Sequence, residues 1–199
     1  MDTSTLLRPA SAIAVGRRGF LRTGAATTLS ATAIALLAGC ESVAGTGGDP
    51  GNDVAILNVA LGLEHEAINA YQIGAESGLL QPAVLNVAVL FQSHHKEHRD
   101  ALTATIRKMG GKPVAEKGKA DYVTALNASS LRGQGDVLKL AARLERGAAN
   151  AYLGVIPSFR DKALAQVAAR LAADETMHWT ALAGALSEPL PGKALGFGA

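Results

Sequence analysis

The sequence predicts an all-α protein, a four-helix bundle in which a long connection joins the second and third helices. Two observations support this prediction. Apolar residues recur every three or four positions through four segments, and no segment shows the alternation typical of a β-strand. The chain also contains an internal repeat, because two sets of motifs match at offsets of 80 and 81 residues. Two similar helical hairpins therefore form a pseudo-twofold bundle.

The first two helices are bounded by proline and glycine. The first helix is predicted over 54–76, where apolar residues follow a spacing of four and three. The second is predicted over 83–109, between Pro82 and the pair Gly110-Gly111. These two helices make the first hairpin.

The second hairpin follows a polar connection over 112–135. We expect a short helix within this connection, near 121–127. The third long helix is predicted over 136–155 with Asp136 as its N-cap, and the fourth over 161–186.

Composition excludes several classes of protein. Of 199 residues, 48% are hydrophobic and 18% are charged, so the chain can bury a core. Residues 41–199 carry 15 basic and 16 acidic side chains without a basic block, and aromatic residues make up only 4%. We therefore expect no nucleic-acid partner. The single cysteine excludes a disulfide framework within the chain and a cysteine-based zinc cluster.

Residues 1–39 have the pattern of an export signal. The pair Arg17-Arg18 precedes a mildly apolar run over 24–38, which is too short to span a bilayer. The arginine pair resembles a twin-arginine signal, and the run ends in Leu37-Ala38-Gly39-Cys40, which resembles the lipobox of a bacterial lipoprotein. These resemblances imply cleavage before Cys40 and attachment of lipid to its sulfur.

A lipidated Cys40 implies an exported protein held at the periplasmic or outer face of a bacterial membrane. Residues 40–53 are rich in glycine and are predicted to be a flexible tether. The bundle then covers 54–186, and 187–199 is predicted to be irregular. The membrane is the first expected partner, and a homodimer and a small-molecule oxidant are left open as others.

Ionisable residues interrupt the apolar stripes at positions that face the bundle interior. They are Glu64, His95, His98, Glu145, Glu175 and His178. Burial of an unpaired charge costs roughly several kcal/mol, so six such groups need compensation. Carboxylates and imidazoles are ligands for iron, manganese or zinc, and the i, i+3 spacing puts Glu175 and His178 on one helix face. A metal site provides the compensation, and an internal salt-bridge network without metal is the alternative.

This constellation resembles the ferritin-like superfamily of di-metal carboxylate proteins and looks closest to its exported bacterial members. The pattern of that superfamily is Glu, Glu-x-x-His, Glu and Glu-x-x-His on four successive helices. Five residues match it in order: Glu64, His98, Glu145, Glu175 and His178. The resemblance implies one or two transition-metal ions, iron before manganese or zinc, and ferroxidase- or peroxidase-like oxidoreductase chemistry.

His95 stands where the superfamily has a glutamate. A glutamate at that position commonly bridges or chelates metal, whereas a neutral imidazole does not bridge two ions. The substitution therefore predicts one ion or an unequal pair, and it leaves catalytic turnover open. The alternative function is that of a metal-free helical bundle serving as an envelope- or stress-associated interaction partner.

Four further residues beside the motifs are weaker candidates for supporting the ligands. His65 follows Glu64 and His94 precedes His95, and for both the alternative is an exposed position. Tyr71 and Tyr152 each follow the glutamate of their half by seven residues. For the two tyrosines the alternative to hydrogen bonding is packing in the core.

The lipobox predicts that Cys40→Ala releases the protein from the membrane. Intact mass spectrometry of the membrane fraction should show an acylated Cys40 as the N-terminal residue of the unsubstituted protein. An unmodified product that begins at Met1 and stays in the cytoplasm would contradict this prediction.

Overall fold

Four long helices make up most of the chain that the structure describes, which is residues 50–189 together with 191 and 192. In chain order, this computed structural model contains α1 Pro50–Glu76, α2 Pro82–Lys108, the short α3 Lys119–Ala125, α4 Gln134–Val155 and α5 Lys162–Ala185. Single 3-10 turns follow α3 at Ala128–Ser130 and α4 at Ile156–Ser158. These described residues contain no strand, so the predicted all-α class is confirmed.

Some predicted features lie outside the described residues: the export signal over 1–39, the lipidation site Cys40 and the last residues, 193–199. No helix in the described part of the chain is long and apolar enough to cross a membrane. The described part of the predicted tail forms neither helix nor strand.

α1 begins at Pro50, earlier than predicted, so residues 50–53 of the predicted tether are helical. The fixed φ of proline suits the first turn of a helix. Asp53 lies in that turn, is 3% exposed, and accepts the backbone N–H groups of Arg160 and Asp161 at 3.0 and 3.1 Å. These bonds hold the start of α1 against the start of α5.

The remaining helix ends lie within two residues of their predicted positions, but one capping prediction is wrong. α4 begins at Gln134 with Gly133 at its N-cap, so Asp136 is not the cap. Asp136 instead lies in the first turn, where a carboxylate interacts favourably with the helix dipole, and it accepts the backbone N–H of Arg132 at 2.9 Å.

The crossover between the hairpins α1–α2 and α4–α5 runs along α1. Its contacts occur in the same order along both segments: Asn58 with Lys112 and Val114, Asn69 with Glu116, and Glu76 with Lys119. The crossover starts close to α1, since a Cβ on Gly111 would lie 2.5 Å from a Val54 methyl group. This path returns the chain to the end of the bundle where α2 begins, so α4 runs parallel to α2.

The interior of the bundle is arranged in three layers along its axis. One end is filled by an apolar cluster that includes Leu61, Ile106 and Leu171, called here the Leu61 cluster. The other end is filled by one that includes Phe91 and Leu138, called the Phe91 cluster. Each fully buried aliphatic or aromatic side chain contributes about 1.5–3 kcal/mol to stability. On every long helix the predicted ligand residues lie between these two clusters, which therefore close the middle layer on both sides.

Candidate metal centre

Six ionisable side chains meet in the layer between the Leu61 and Phe91 clusters. They are the six predicted ligands: Glu64 on α1, His95 and His98 on α2, Glu145 on α4, and Glu175 and His178 on α5. All are buried, and the most exposed of them, His98, is 9% exposed. All six point into the bundle interior because each lies on the apolar stripe of its own helix.

The six residues form two overlapping groups that could each hold an ion. The first group is Glu64, His95, His98 and Glu175, and the second group is His95, Glu145, Glu175 and His178. Within each group, one ligand atom from every residue lies within 4.8 Å of the others. The two groups share His95 and Glu175. The two halves of the predicted repeat therefore form two candidate metal sites that are linked through these two residues.

His95 lies between the two halves of the centre. Its Nδ1 is 2.8 Å from Glu64 Oε2, and its Nε2 is 3.1 Å from Glu145 Oε1. Burial acts to lower the pKa of His95, but the hydrogen bonds to Glu145 and Glu64 outweigh burial and raise the pKa to about 11. Without metal, His95 is therefore an imidazolium that joins a carboxylate of each half.

Glu175 is the least satisfied residue of the centre. Its side chain is 0% exposed, and neither carboxylate oxygen has a hydrogen-bond partner among the described residues. His98 Nδ1 lies 3.4 Å from Oε1 and also lacks a hydrogen bond, while His178 Nδ1 lies 3.7 Å from Oε2. Burial raises the pKa of Glu175 to about 7 despite these imidazoles. A buried acceptor without a partner costs about 1–3 kcal/mol.

The other two carboxylates are stabilised in their charged forms. Burial acts to raise the pKa of Glu145, but His178 and His95 outweigh it and hold the pKa far below its ordinary value. The same balance, with His95 and His98 as partners, lowers the pKa of Glu64. Burial opposes the charged form of His98 too, but Glu175 and Glu64 raise its pKa to about 10. Metal-free, the centre is a nearly balanced set of carboxylates and imidazolium groups.

Each half of the centre receives a hydrogen bond from a tyrosine of the other half. Tyr71 OH donates to Glu145 Oε1, and Tyr152 OH donates to Glu64 Oε1. Burial, followed by the neighbouring glutamate, raises the pKa of each tyrosine well above its ordinary value, so both remain donors. Tyr71 packs in the Phe91 cluster and Tyr152 in the Leu61 cluster, which combines the two roles left open by the sequence.

Two more side chains contact the far nitrogens of the terminal histidines. His94 Nδ1 lies 3.0 Å from His178 Nε2, and Asp174 Oδ2 lies 3.2 Å from His98 Nε2. Sequence reasoning placed His94 among the weak candidates and missed Asp174. The repeat could have identified Asp174, because it precedes Glu175 as His94 precedes His95.

His65 is buried away from the centre. It is 7% exposed, and its Nε2 lies 3.4 Å from the carbonyl oxygen of Val114 in the crossover. The role of supporting the ligands stays a prediction for His65, which is not a surface residue and contacts the crossover. The physical reason for this contact is its position on α1, which turns its side chain toward the crossover.

An apolar cavity of about 330 Å³ lies beside the second group. Its wall includes Tyr71 and Phe91. Tyr71 bonds to Glu145, and the Phe91 ring stacks on the His178 ring with centroids 4.1 Å apart. These two aromatic rings thus separate the cavity from the ionisable layer.

Comparison with known proteins identifies the fold. The family model described as a ferritin-like domain matches residues 52–188, which is more than half of the chain. Among solved structures, the crystal structure of a conserved hypothetical protein, rv2844, from Mycobacterium tuberculosis is similar, with a TM-score of 0.59 and 21% identity over 74% of this chain and 100% of that chain. At this identity the likeness shows the fold alone. No curated protein matches the chain.

We expect the metal-free protein to lose stability as the pH rises from neutral to about 10. The folded state holds the protons of His95 and His98 up to about pH 11 and 10, whereas the unfolded chain releases them near pH 6.5. Their contribution to the unfolding free energy is thus complete below 6.5 and is lost as the pH rises through the folded values. Urea unfolding at both ends of this range measures the loss.

His95→Gln provides the control, because glutamine does not titrate. The decline in unfolding free energy should be smaller in this variant than in the unsubstituted protein. An equal decline in both proteins would show that the folded state does not hold the His95 proton.

Proposed function

This chain belongs to the ferritin-like domain family, and we propose that it binds one or two transition-metal ions in the middle layer of its bundle. Iron is the first candidate, with manganese and zinc as alternatives, since carboxylate and imidazole ligands suit all three. The single observation that most supports the proposal is Glu175, whose two buried oxygens have no hydrogen-bond partner among the described residues. An ion in either group would take one of these oxygens as a ligand.

The residues present fit such an ion in type and orientation. Glu64 and His98 would hold it in the first group, and Glu145 and His178 in the second, with Glu175 common to both. His98 and His178 both turn Nδ1 toward Glu175. The tyrosine hydroxyls bond to Oε1 of Glu64 and of Glu145. Oε2 of each carboxylate lies within hydrogen-bond distance of a histidine nitrogen, so an ion would replace the proton between them.

His95 limits how many ions can bind well. Neutral imidazole offers one lone pair, so His95 can complete one group by a nitrogen while the other group loses that ligand. Glutamate at this position would offer an oxygen to each group. The proposal is therefore one ion, or two ions held unequally, in contrast to a symmetric pair.

Redox turnover is a narrower part of the proposal. A bound transition metal supplies Lewis-acid and one-electron chemistry. The chain contributes a layer closed by apolar clusters, two tyrosine donors and an adjacent apolar cavity that suits a small uncharged oxidant. Ferroxidase- or peroxidase-like activity fits these features, and we infer from the signal pattern ending at Cys40 that it takes place at the outer side of a bacterial membrane.

A metal-free bundle that serves as an interaction partner is the second candidate. The observation that favours it is the near balance of charge, since His95 joins Glu64 and Glu145 by hydrogen bonds without metal. This network leaves Glu175 unsatisfied, which is why the metal-binding function is preferred.

Metal content and thermal unfolding of the chain with matched variants test the proposal. Elemental analysis of protein purified from its natural compartment should find one or two ions per chain. Glu175→Gln should lose most of this metal, because residue 175 belongs to both groups and an amide is a weaker ligand than a carboxylate. Glu66→Gln is the control, since it removes a buried carboxylate two residues from Glu64 that belongs to neither group.

Chelation should lower the Tm of the unsubstituted protein and of Glu66→Gln but not of Glu175→Gln. A ligand present at roughly 100 times its Kd stabilises a protein by about 2.7 kcal/mol, a readily measured change in Tm. A protein that contains no metal, and whose Tm is unaffected by added Fe²⁺, Mn²⁺ or Zn²⁺, would support the metal-free bundle and overturn the proposal.

A further inference from the structure

The two halves of the centre differ in what lies behind their terminal histidines. Behind His98 is a carboxylate, Asp174, at 3.2 Å from Nε2. Behind His178 is an imidazole, His94, with Nδ1 at 3.0 Å from Nε2. Asp174 and His94 occupy equivalent positions of the internal repeat, so the pseudo-twofold arrangement places a different chemical group at the same point of each half.

Several other contacts of the two halves are matched, although the Phe91 ring stacks on His178, and His98 is the more exposed of the two histidines. Each group contains one glutamate that accepts a hydrogen bond from a tyrosine of the opposite half. Each group also contains a terminal histidine, and both share His95 and Glu175. The pair Asp174 and His94 is therefore the clearest difference in charge between the surroundings of the two groups.

A histidine that binds metal through Nδ1 carries its proton on Nε2. A carboxylate that accepts this proton fixes the tautomer and makes Nδ1 a stronger ligand. Asp174 is placed to do so for His98. His94 can accept a hydrogen bond from His178 only as a neutral ring, through the lone pair of Nδ1. A neutral imidazole does not compensate the positive charge of the ion, whereas a carboxylate does.

We propose that Asp174 and His94 are positioning residues that make the two metal positions unequal. The first group, with Glu64 and His98, is the tighter position, and the second group, with Glu145 and His178, is the weaker one. This inference rests on the proposed metal-binding function and adds the order in which the two positions fill. At limiting metal, the first position fills before the second.

The expected size of the effect follows from the exposure of Asp174. Removal of such an outer partner typically weakens metal binding by about 10–100-fold. The Asp174 side chain is 50% exposed, so water screens its charge and the lower end of this range is expected.

Titration of the metal-free full chain with Co²⁺ tests the inference, with calorimetry for affinity and visible absorption for the ligand environment. The unsubstituted protein should show a tight step and a step at least about tenfold weaker. Asp174→Asn should weaken the tight step about tenfold, because asparagine fills the same space without the charge. Asp100→Asn is the control. Asp100 is an exposed carboxylate on α2, the helix of His98, and it pairs with Arg99 instead of a ligand.

His94→Asp gives the second half the partner that the first half already has. It should strengthen the weak step and bring the two affinities together, with a change in the Co²⁺ absorption of that step alone. If the unsubstituted protein binds a single ion, His94→Asp should create the second step.

Two results would overturn the inference: equal affinities in the unsubstituted protein, or an Asp174→Asn variant that binds Co²⁺ as Asp100→Asn does. A weak step left unchanged by His94→Asp would remove the assigned role of His94. Absence of any Co²⁺ binding by the folded chain would instead overturn the proposed function, so the two failures are distinguishable.

Discussion

Burial of the Glu175 carboxylate in the middle of an apolar bundle is the constraint on which the rest of the site depends. The side chain has no exposure and makes no hydrogen bond with the described residues, yet one of its oxygens faces the imidazole of His98 on α2 and the other faces that of His178 on its own helix. Burying such a group is expensive unless a positive charge compensates it. His98 and His178 supply part of that compensation, and Glu175 is one of the carboxylates that raise the pKa of each against the effect of burial.

The fold isolates this layer from its surroundings. The Leu61 and Phe91 clusters close it along the bundle axis, and each sends one tyrosine hydroxyl into it. Those hydroxyls hold Glu64 and Glu145 in fixed orientations from the opposite half of the repeat. The crossover runs along α1 from Asn58 to Glu76 and contacts the face of that helix on which these two residues lie. Stability and the site thus depend on the same side chains.

Much of the bundle and the six ionisable residues of the centre could be predicted from the sequence, because helical periodicity fixes which residues face inward. His98 and His178 stand in matching motifs, and Glu64 and Glu145 share another. The structure brings these residues together as that periodicity requires. The start of α1 at Pro50 was not predicted, since the bonds between Asp53 and the start of α5 are tertiary contacts.

Asp174 and His65 show what periodicity does not convey. Asp174 is half exposed and differs in type from His94, so helical periodicity did not mark it, and only its equivalent position in the repeat could have done so. His65 has a neighbour in the crossover, whose path over α1 is set by contacts far apart in the chain.

Anomalous X-ray diffraction from crystals of the chain grown with Mn²⁺ tests the central claim most directly. The account predicts one strong peak, or two unequal peaks, inside the middle layer, with an oxygen of Glu175 as a ligand. Crystals with Mn²⁺ only at the protein surface, and with Glu175 hydrogen-bonded to His98 or His178 instead, would contradict it.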